Sequence, residues 1–127
     1  MNSKARVLIV DDDRELRDFL YCVLKDRYLV AAIGGAVEAL SYLAGNSVNV
    51  ILIDYNMPKI DGITALGEIK KSCPDTEVIM MTGNASPDIR EKAFNLGAFA
   101  FLKKPLNIAE LFKTIDEALQ EKIPKKY

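Results

Sequence analysis

Four places along this chain could do chemistry together. An acid triplet, Asp11-Asp12-Asp13, follows the apolar run Arg6-Val7-Leu8-Ile9-Val10. A single acid, Asp54, closes the run Val48-Asn49-Val50-Ile51-Leu52-Ile53. Thr82 ends the segment Glu77-Val78-Ile79-Met80-Met81, and Lys104 stands directly before Pro105. Crowded carboxylates raise one another's pKa values unless a cation intervenes. Oxygen donors without His or Cys partners suit Mg²⁺, which keeps several waters and takes one or two carboxylates. A hydroxyl and an ammonium facing such a site would serve the oxygens of a phosphoryl group. A carboxylate can itself be the nucleophile and form an aspartyl phosphate.

Composition removes other chemistries. The chain has 127 residues, half of them apolar, and a formal net charge of -1. That is one domain with room for a core, and no basic excess points to nucleic acid or an anionic membrane. With no histidine, the commonest general base is missing, and so are Ser-His and Cys-His dyads. Cys22 and Cys73 lack metal or redox spacing and read as reduced thiols. No stretch is apolar enough to span a bilayer, and no signal-peptide core follows Met1-Asn2-Ser3-Lys4. A cytoplasmic protein is the default expectation.

The elements that must position these residues alternate regularly. Arg6–Val10 is a buried-strand pattern. Asp13 is a candidate cap for a helix to about Asp26, with Leu16, Phe19, Leu20, Val23 and Leu24 inward. Tyr28 to Ile33 is a second strand, and Gly34-Gly35 turns into a helix from Ala36 to about Ala44 with Val37, Leu40 and Leu43 inward. The run ending in Asp54 is β-branched and short, a strand buried on both faces. Pro58 and Asp61-Gly62 mark the loop after it. A helix follows from Gly62 to about Lys71, then a strand from Glu77 to Thr82. Ser86 and Pro87 start a helix whose apolar stripe, Ile89, Ala93 and Leu96, is thin, as suits a weakly held element. A strand from Ala98 to Lys103, on which Phe99 and Phe101 share parity, precedes the last helix. Asn107 and Glu110 start that helix, and Ile108, Leu111, Phe112, Ile115 and Leu119 face inward. Residues 1–122 form the domain, and 123–127 read as a tail or linker stump that fits either a chain end or a cut before a further domain.

Strict strand-helix alternation with short connections implies parallel strands, right-handed crossovers and helices on both faces. Five units suit a doubly wound α/β sheet in the flavodoxin-like order 2-1-3-4-5. In that order ligands bind outside the C-terminal strand ends, between strands 1 and 3. Asp11, Asp12, Asp54, Thr82 and Lys104 all fall at that edge.

Four motifs in this order and spacing, Val10-Asp11-Asp12, Ile53-Asp54-Tyr55-Asn56-Met57-Pro58-Lys59-Ile60-Asp61-Gly62, Met81-Thr82-Gly83 and Lys103-Lys104-Pro105, resemble the CheY-like receiver domain of two-component response regulators. The resemblance covers nearly the whole chain. It implies that Asp54 accepts a phosphoryl group from a sensor histidine kinase or phosphotransfer protein. It implies Mg²⁺, with Mn²⁺ as a substitute, on Asp12, Asp54 and the backbone carbonyl of Asn56, with Asp11 acting mainly through metal-bound water. Thr82 and Lys104 would bind phosphoryl oxygens, the Lys104-Pro105 bond would be cis, and Phe101 would be the switch aromatic. Helix 4, strand 5 and helix 5 would present the output face to an effector domain or protein, or to a second copy in a phosphorylation-dependent homodimer. Neither direct nucleic-acid binding nor membrane contact is implied. Asn56 and Asn84, two residues beyond Asp54 and Thr82, would tune the phosphate's lifetime. Phe101 lacks the hydroxyl of the tyrosine often found at its position; Gly35 and Ala36 depart from the usual polar cap and glycine before the second helix.

Two rival readings remain in view. A small Mg²⁺ phosphohydrolase of the haloacid dehalogenase type would want a second acid two residues after its nucleophile, where this chain has Asn56. A flavin-binding module on the same fold would seat a phosphate after strand 1, where Asp11, Asp12 and Asp13 repel one. The blander alternatives are helix caps for Asp11 to Asp13, a strand-end threonine for Thr82 and a core aromatic for Phe101.

Overall fold

In the computed structural model, which describes residues 4–84 and 86–120, strands and helices alternate from end to end. The order is β1 (Arg6–Val10), α1 (Arg14–Leu24), β2 (Leu29–Ile33), α2 (Ala36–Gly45), β3 (Val50–Asp54), α3 (Gly62–Ser72), β4 (Glu77–Thr82), α4 (Pro87–Asn95), β5 (Ala100–Lys103) and α5 (Ile108–Gln120). The strands form one parallel sheet in the order β2-β1-β3-β4-β5. The tail over 123–127 lies outside the described residues.

Alternation along each strand splits the core in two. Leu8, Val10, Ile51, Ile53, Val78 and Met80 pack toward α2, α3 and α4. Val7, Ile9, Val50, Leu52, Ile79 and Met81 pack toward α1 and α5. With both faces covered, all five residues of β3 are buried, which is why that strand is almost entirely apolar. Burying each large aliphatic side chain contributes about 2 kcal/mol. The one acid on β3, Asp54, is its last residue, buried at the strand's C-terminal end.

The caps follow local chemistry. Asp13 Oδ1 accepts from the N–H groups of Glu15 and Leu16, Asp61 Oδ1 from Thr64, Ser86 Oγ from Ile89 and Asn107 Oδ1 from Glu110. Each satisfies a donor that the first helical turn leaves open. The α2 N-cap, Gly35, makes no side-chain bond. Gly97, at φ 103, turns the chain after α4.

Three side-chain directions differ from the periodic reading. Phe19 on α1 is 51% exposed and Val37 on α2 is 51% exposed. In α1 the buried positions are Leu20 and Leu24, and Phe19 falls on the flank of that arc. In α2 the small residues Ala36 and Ala39 take the sheet-facing line, which rotates Val37 outward. Phe99 and Phe101, two residues apart, pack into opposite halves of the core. The reason is that Phe99 precedes β5 in a bend, outside the alternating pleat. The α4 stripe is as thin as its sequence suggests. Ala93 is its buried residue, while Phe94 and Leu96 are exposed.

Candidate functional site

The C-terminal ends of β1 and β3 lie side by side, with Val10 opposite Ile53. The next residue on each strand is an acid. Asp11 is fully buried and Asp54 nearly so, at 4% exposure, whereas Asp12 is exposed. Carboxylate oxygens of Asp11, Asp12 and Asp54 all lie within 4.8 Å of one another. Lys104 reaches back over the sheet edge from beyond β5. Its Nζ donates to Asp11 Oδ2 at 2.9 Å and lies 3.2 Å from Asp54 Oδ1. The Lys104–Pro105 peptide bond is cis.

The Asp11 polar atoms are all engaged. Its N–H donates to Ile33 O, so the β1–β2 ladder runs on by one residue. Its Oδ1 accepts from the Asp13 N–H and its carbonyl from Arg17 Nη1, both at 2.9 Å. Burial without such partners would be costly. Asp12 differs: among the described residues, no hydrogen bond or ion pair holds its carboxylate.

The pocket is electrostatically unbalanced, because three carboxylates face one ammonium. Burial raises the Asp54 carboxyl above the usual carboxylate range, and the charge of Asp11 raises it further. Lys104 and the Asn56 N–H offset this only in part. Burial pulls the Lys104 ammonium down, but its hydrogen bond and charge attraction to Asp11, followed by those to Asp54, outweigh that and hold it above the ordinary lysine range. An all-oxygen donor set with excess negative charge fits a hard divalent cation.

Thr82 is buried at the end of β4, one residue past Met81, which pairs with Asp54. Its Oγ1 accepts from the Asn84 N–H at 3.3 Å. Thr82, Asn84 and Phe101 line a cavity of about 360 Å³ with Arg90, Lys103 and Glu110. Phe101 is half-buried against the α2–α4 side of the core. Asn56 and Asn84 are both exposed. Lys103 is exposed as well, so of the adjacent lysines only Lys104 turns into the acids.

Two residues matter here that their types alone did not single out. One is Arg17. The other is Gly62, which the sequence places at the turn into the third helix. A Cβ on Gly62 would lie 2.7 Å from Tyr55 Cα, 2.8 Å from the Asp54 carbonyl oxygen and 2.7 Å from Met80 Cε. Two of those three atoms are backbone and cannot step aside. The Gly62 N–H also donates to Tyr55 O at 2.9 Å, so α3 starts hard against the end of β3. We expect Gly62→Ala to cost about 2 kcal/mol, read as a lowered urea midpoint with an unchanged slope. A midpoint equal to the parent's would mean that the contact relaxes freely.

An open, doubly wound parallel domain with its polar residues at the strand order's reversal point belongs to the class that binds ligands outside the carboxyl strand ends. Within that class the comparisons are specific. The response regulator receiver domain model matches residues 7–116. The transcriptional regulator NtrC of Proteus hauseri is 34% identical over 118 residues, covering 92% of this chain and 25% of NtrC. The response regulator MprA of Mycobacterium sp. (strain KMS) is 30% identical over 121 residues, covering 94% of this chain and 53% of MprA. The CheY-like receiver domain protein of Methanospirillum hungatei JF-1 superimposes with a TM-score of 0.91 at 34% identity, covering 94% of this chain and 97% of that one. The chain belongs to the response regulator receiver domain family, a family of signalling switches in two-component systems. It spans about a quarter of NtrC and about half of MprA. No described helix is long and apolar enough to cross a membrane.

Proposed function

We propose that Asp54 is the phosphoacceptor of a two-component switch, and that residues 1–122 are its receiver domain. The observation that carries this reading is the junction at Lys104, whose ammonium reaches Asp11 and Asp54 at once while Asp12 completes the acid cluster. Asp54 is buried at the end of β3, burial and the charge of Asp11 raise its proton affinity, and one of its carboxylate oxygens lies within 4.8 Å of one from Asp12. Its carboxylate oxygen attacks the phosphorus of a phosphohistidine or an acyl phosphate. A P–O bond to Asp54 forms, the bond to the donor's nitrogen or oxygen breaks, and the leaving group keeps the bonding pair. Water later cleaves the aspartyl phosphate and restores the carboxylate.

Asp11, Asp12, Asp54 and the Asn56 carbonyl would hold Mg²⁺, or Mn²⁺ in its place, which would offset the charge of the carboxylates and the phosphoryl oxygens. The remaining steps belong to the chain's own groups. Lys104 donates to a phosphoryl oxygen as it gives up part of its contact with Asp54. The Thr82 hydroxyl turns from the Asn84 N–H toward the new group. That shift frees space beside Phe101, and two packings compete for the cavity they share. A phosphoryl group brings nearly two negative charges, enough to bias them. The face of α4, β5 and α5 carries the result to an effector domain, a partner protein or a second copy. Asn56 and Asn84 flank the path of the hydrolytic water and set how long the phosphate lasts. The partner that supplies the phosphoryl group is a sensor histidine kinase or a phosphotransfer protein.

The test is phosphorylation by acetyl phosphate, followed by intact mass. With Mg²⁺ present, the chain gains the mass of one phosphoryl group, and excess EDTA suppresses the gain. Equal labelling with and without EDTA would contradict the metal's part in the reading. Steady release of phosphate from small phosphoesters would favour the phosphohydrolase alternative.

A further inference from the structure

Arg17 projects from α1 toward the acid turn and is half-buried. Its Nη1 donates to the Asp11 carbonyl at 2.9 Å, the oxygen of the peptide that joins Asp11 to Asp12. On its other side the guanidinium lies against Gly34, where a Cβ would approach Nη1 to 3.2 Å and Cζ to 3.6 Å. One side chain thus lies between the turn after β1 and the turn after β2. A peptide is planar, so pinning the Asp11 carbonyl also sets the plane from which Asp12 departs. Asp11 and Asp13 have their own anchors. The Asp12 carboxylate has none among the described residues, so the backbone beneath it sets the arc of rotamers through which it reaches Asp54.

We propose that Arg17 is a positioning residue for the divalent-cation site, holding the Asp11–Asp12 peptide so that the Asp12 carboxylate faces Asp54. The proposal rests on the cation site described above. Arg17 does not touch the ion; it acts through the peptide that carries two of its ligands. Groups behind metal ligands commonly matter about tenfold or more in metal affinity.

Charge and position make opposite demands here, which makes the proposal testable. Removing a cation near a metal site should tighten Mg²⁺ binding if charge alone mattered. Removing a positioning group should weaken it. Arg17→Met keeps the aliphatic stem and its packing but loses the donor; Arg17→Lys keeps a donor on a shorter reach. The measurement is calorimetric titration of MgCl₂ into the unphosphorylated chain at fixed ionic strength, with the amide spectrum in EDTA showing that each variant is folded. We expect Kd for Mg²⁺ to rise about tenfold in Arg17→Met and to stay within about threefold of the parent in Arg17→Lys. Affinity in Arg17→Met that equals or exceeds the parent's would overturn the proposal, as would equal weakening in both variants. A parent chain that takes up no Mg²⁺ would instead refute the cation site itself.

Discussion

Replacing Asp54 by Asn abolishes phosphoryl uptake from acetyl phosphate, with incorporation falling by at least roughly a thousandfold. Asn keeps the shape of the side chain and removes the nucleophilic carboxylate. Asp11 cannot take over, because it is fully buried and both of its oxygens are engaged. Asp12 is open, but it lies outside the strand that buries Asp54 and lacks the lysine contact. The measurement is intact mass after saturating acetyl phosphate and Mg²⁺, and undiminished labelling would remove Asp54 from the mechanism. The same substitution stabilises the metal-free chain at neutral pH. The folded-state pKa of Asp54 is raised, by burial first and then by Asp11. The folded state therefore binds its proton more tightly than the unfolded state. Stability from this group is full below the ordinary aspartate range and falls as pH climbs from there through the raised value. Asn carries no such loss, so the variant's advantage in melting temperature grows across that window and shrinks again in acid.

Lys104→Met destabilises the metal-free chain by about 3 kcal/mol at neutral pH, the usual scale for orphaning one side of a buried ion pair. Lys104 is one cation between two buried acids, with its side chain only 22% exposed. Without it, Asp11 and Asp54 repel each other in a pocket that solvent barely reaches. Asp54 loses a group that now lowers its pKa, so its carboxyl climbs further and binds a proton sooner as pH falls. The deficit is greatest above that raised value and narrows in acid. On the lysine side, the folded pKa lies above the ordinary range. Its contribution is therefore intact through neutral and mildly alkaline pH and fades only as pH rises through that raised value. Urea unfolding across pH checks both statements. Millimolar Mg²⁺ should recover part of the loss by mass action on the folded state. A flat deficit from acid to neutral pH, indifferent to Mg²⁺, would mean that Lys104 matters for packing and not for charge.

The sheet could be read before the structure because its strands are short, apolar and bounded by turn residues. β1 and β4 begin and end where their patterns do, and β3 is buried at every position. Alternation implied a parallel doubly wound sheet, and the flavodoxin-like order that suits five strands put Asp11, Asp54 and Thr82 on one edge. Helix faces were less legible. Phe19 and Val37 lie at the margins of their apolar arcs, where a periodic pattern cannot tell the core line from its flank. The strand pattern gives Phe99 the parity of Phe101, because nothing in Ala98-Phe99-Ala100 marks the bend. The site was legible at the level of side-chain type. A lysine before a proline suggested an ammonium facing a phosphoryl group, but not that it would already bridge two acids. The parts of Gly62 and Arg17 are matters of distance. Gly62 matters because two backbones nearly touch, and Arg17 because its guanidinium fits over a residue with no side chain. The Asp61-Gly62 pair hints at the first; no pattern in the chain marks the second.

Borohydride reduction decides where the phosphoryl group resides. An acyl phosphate is reduced to the alcohol, turning the modified aspartate into homoserine, while phosphate esters of Ser, Thr or Tyr survive unchanged. After acetyl phosphate and Mg²⁺, peptide sequencing by mass should find homoserine at position 54 and aspartate still at 11, 12 and 61. Homoserine at any of those three positions, or phosphate that survives on a hydroxyl, would contradict the account at its centre.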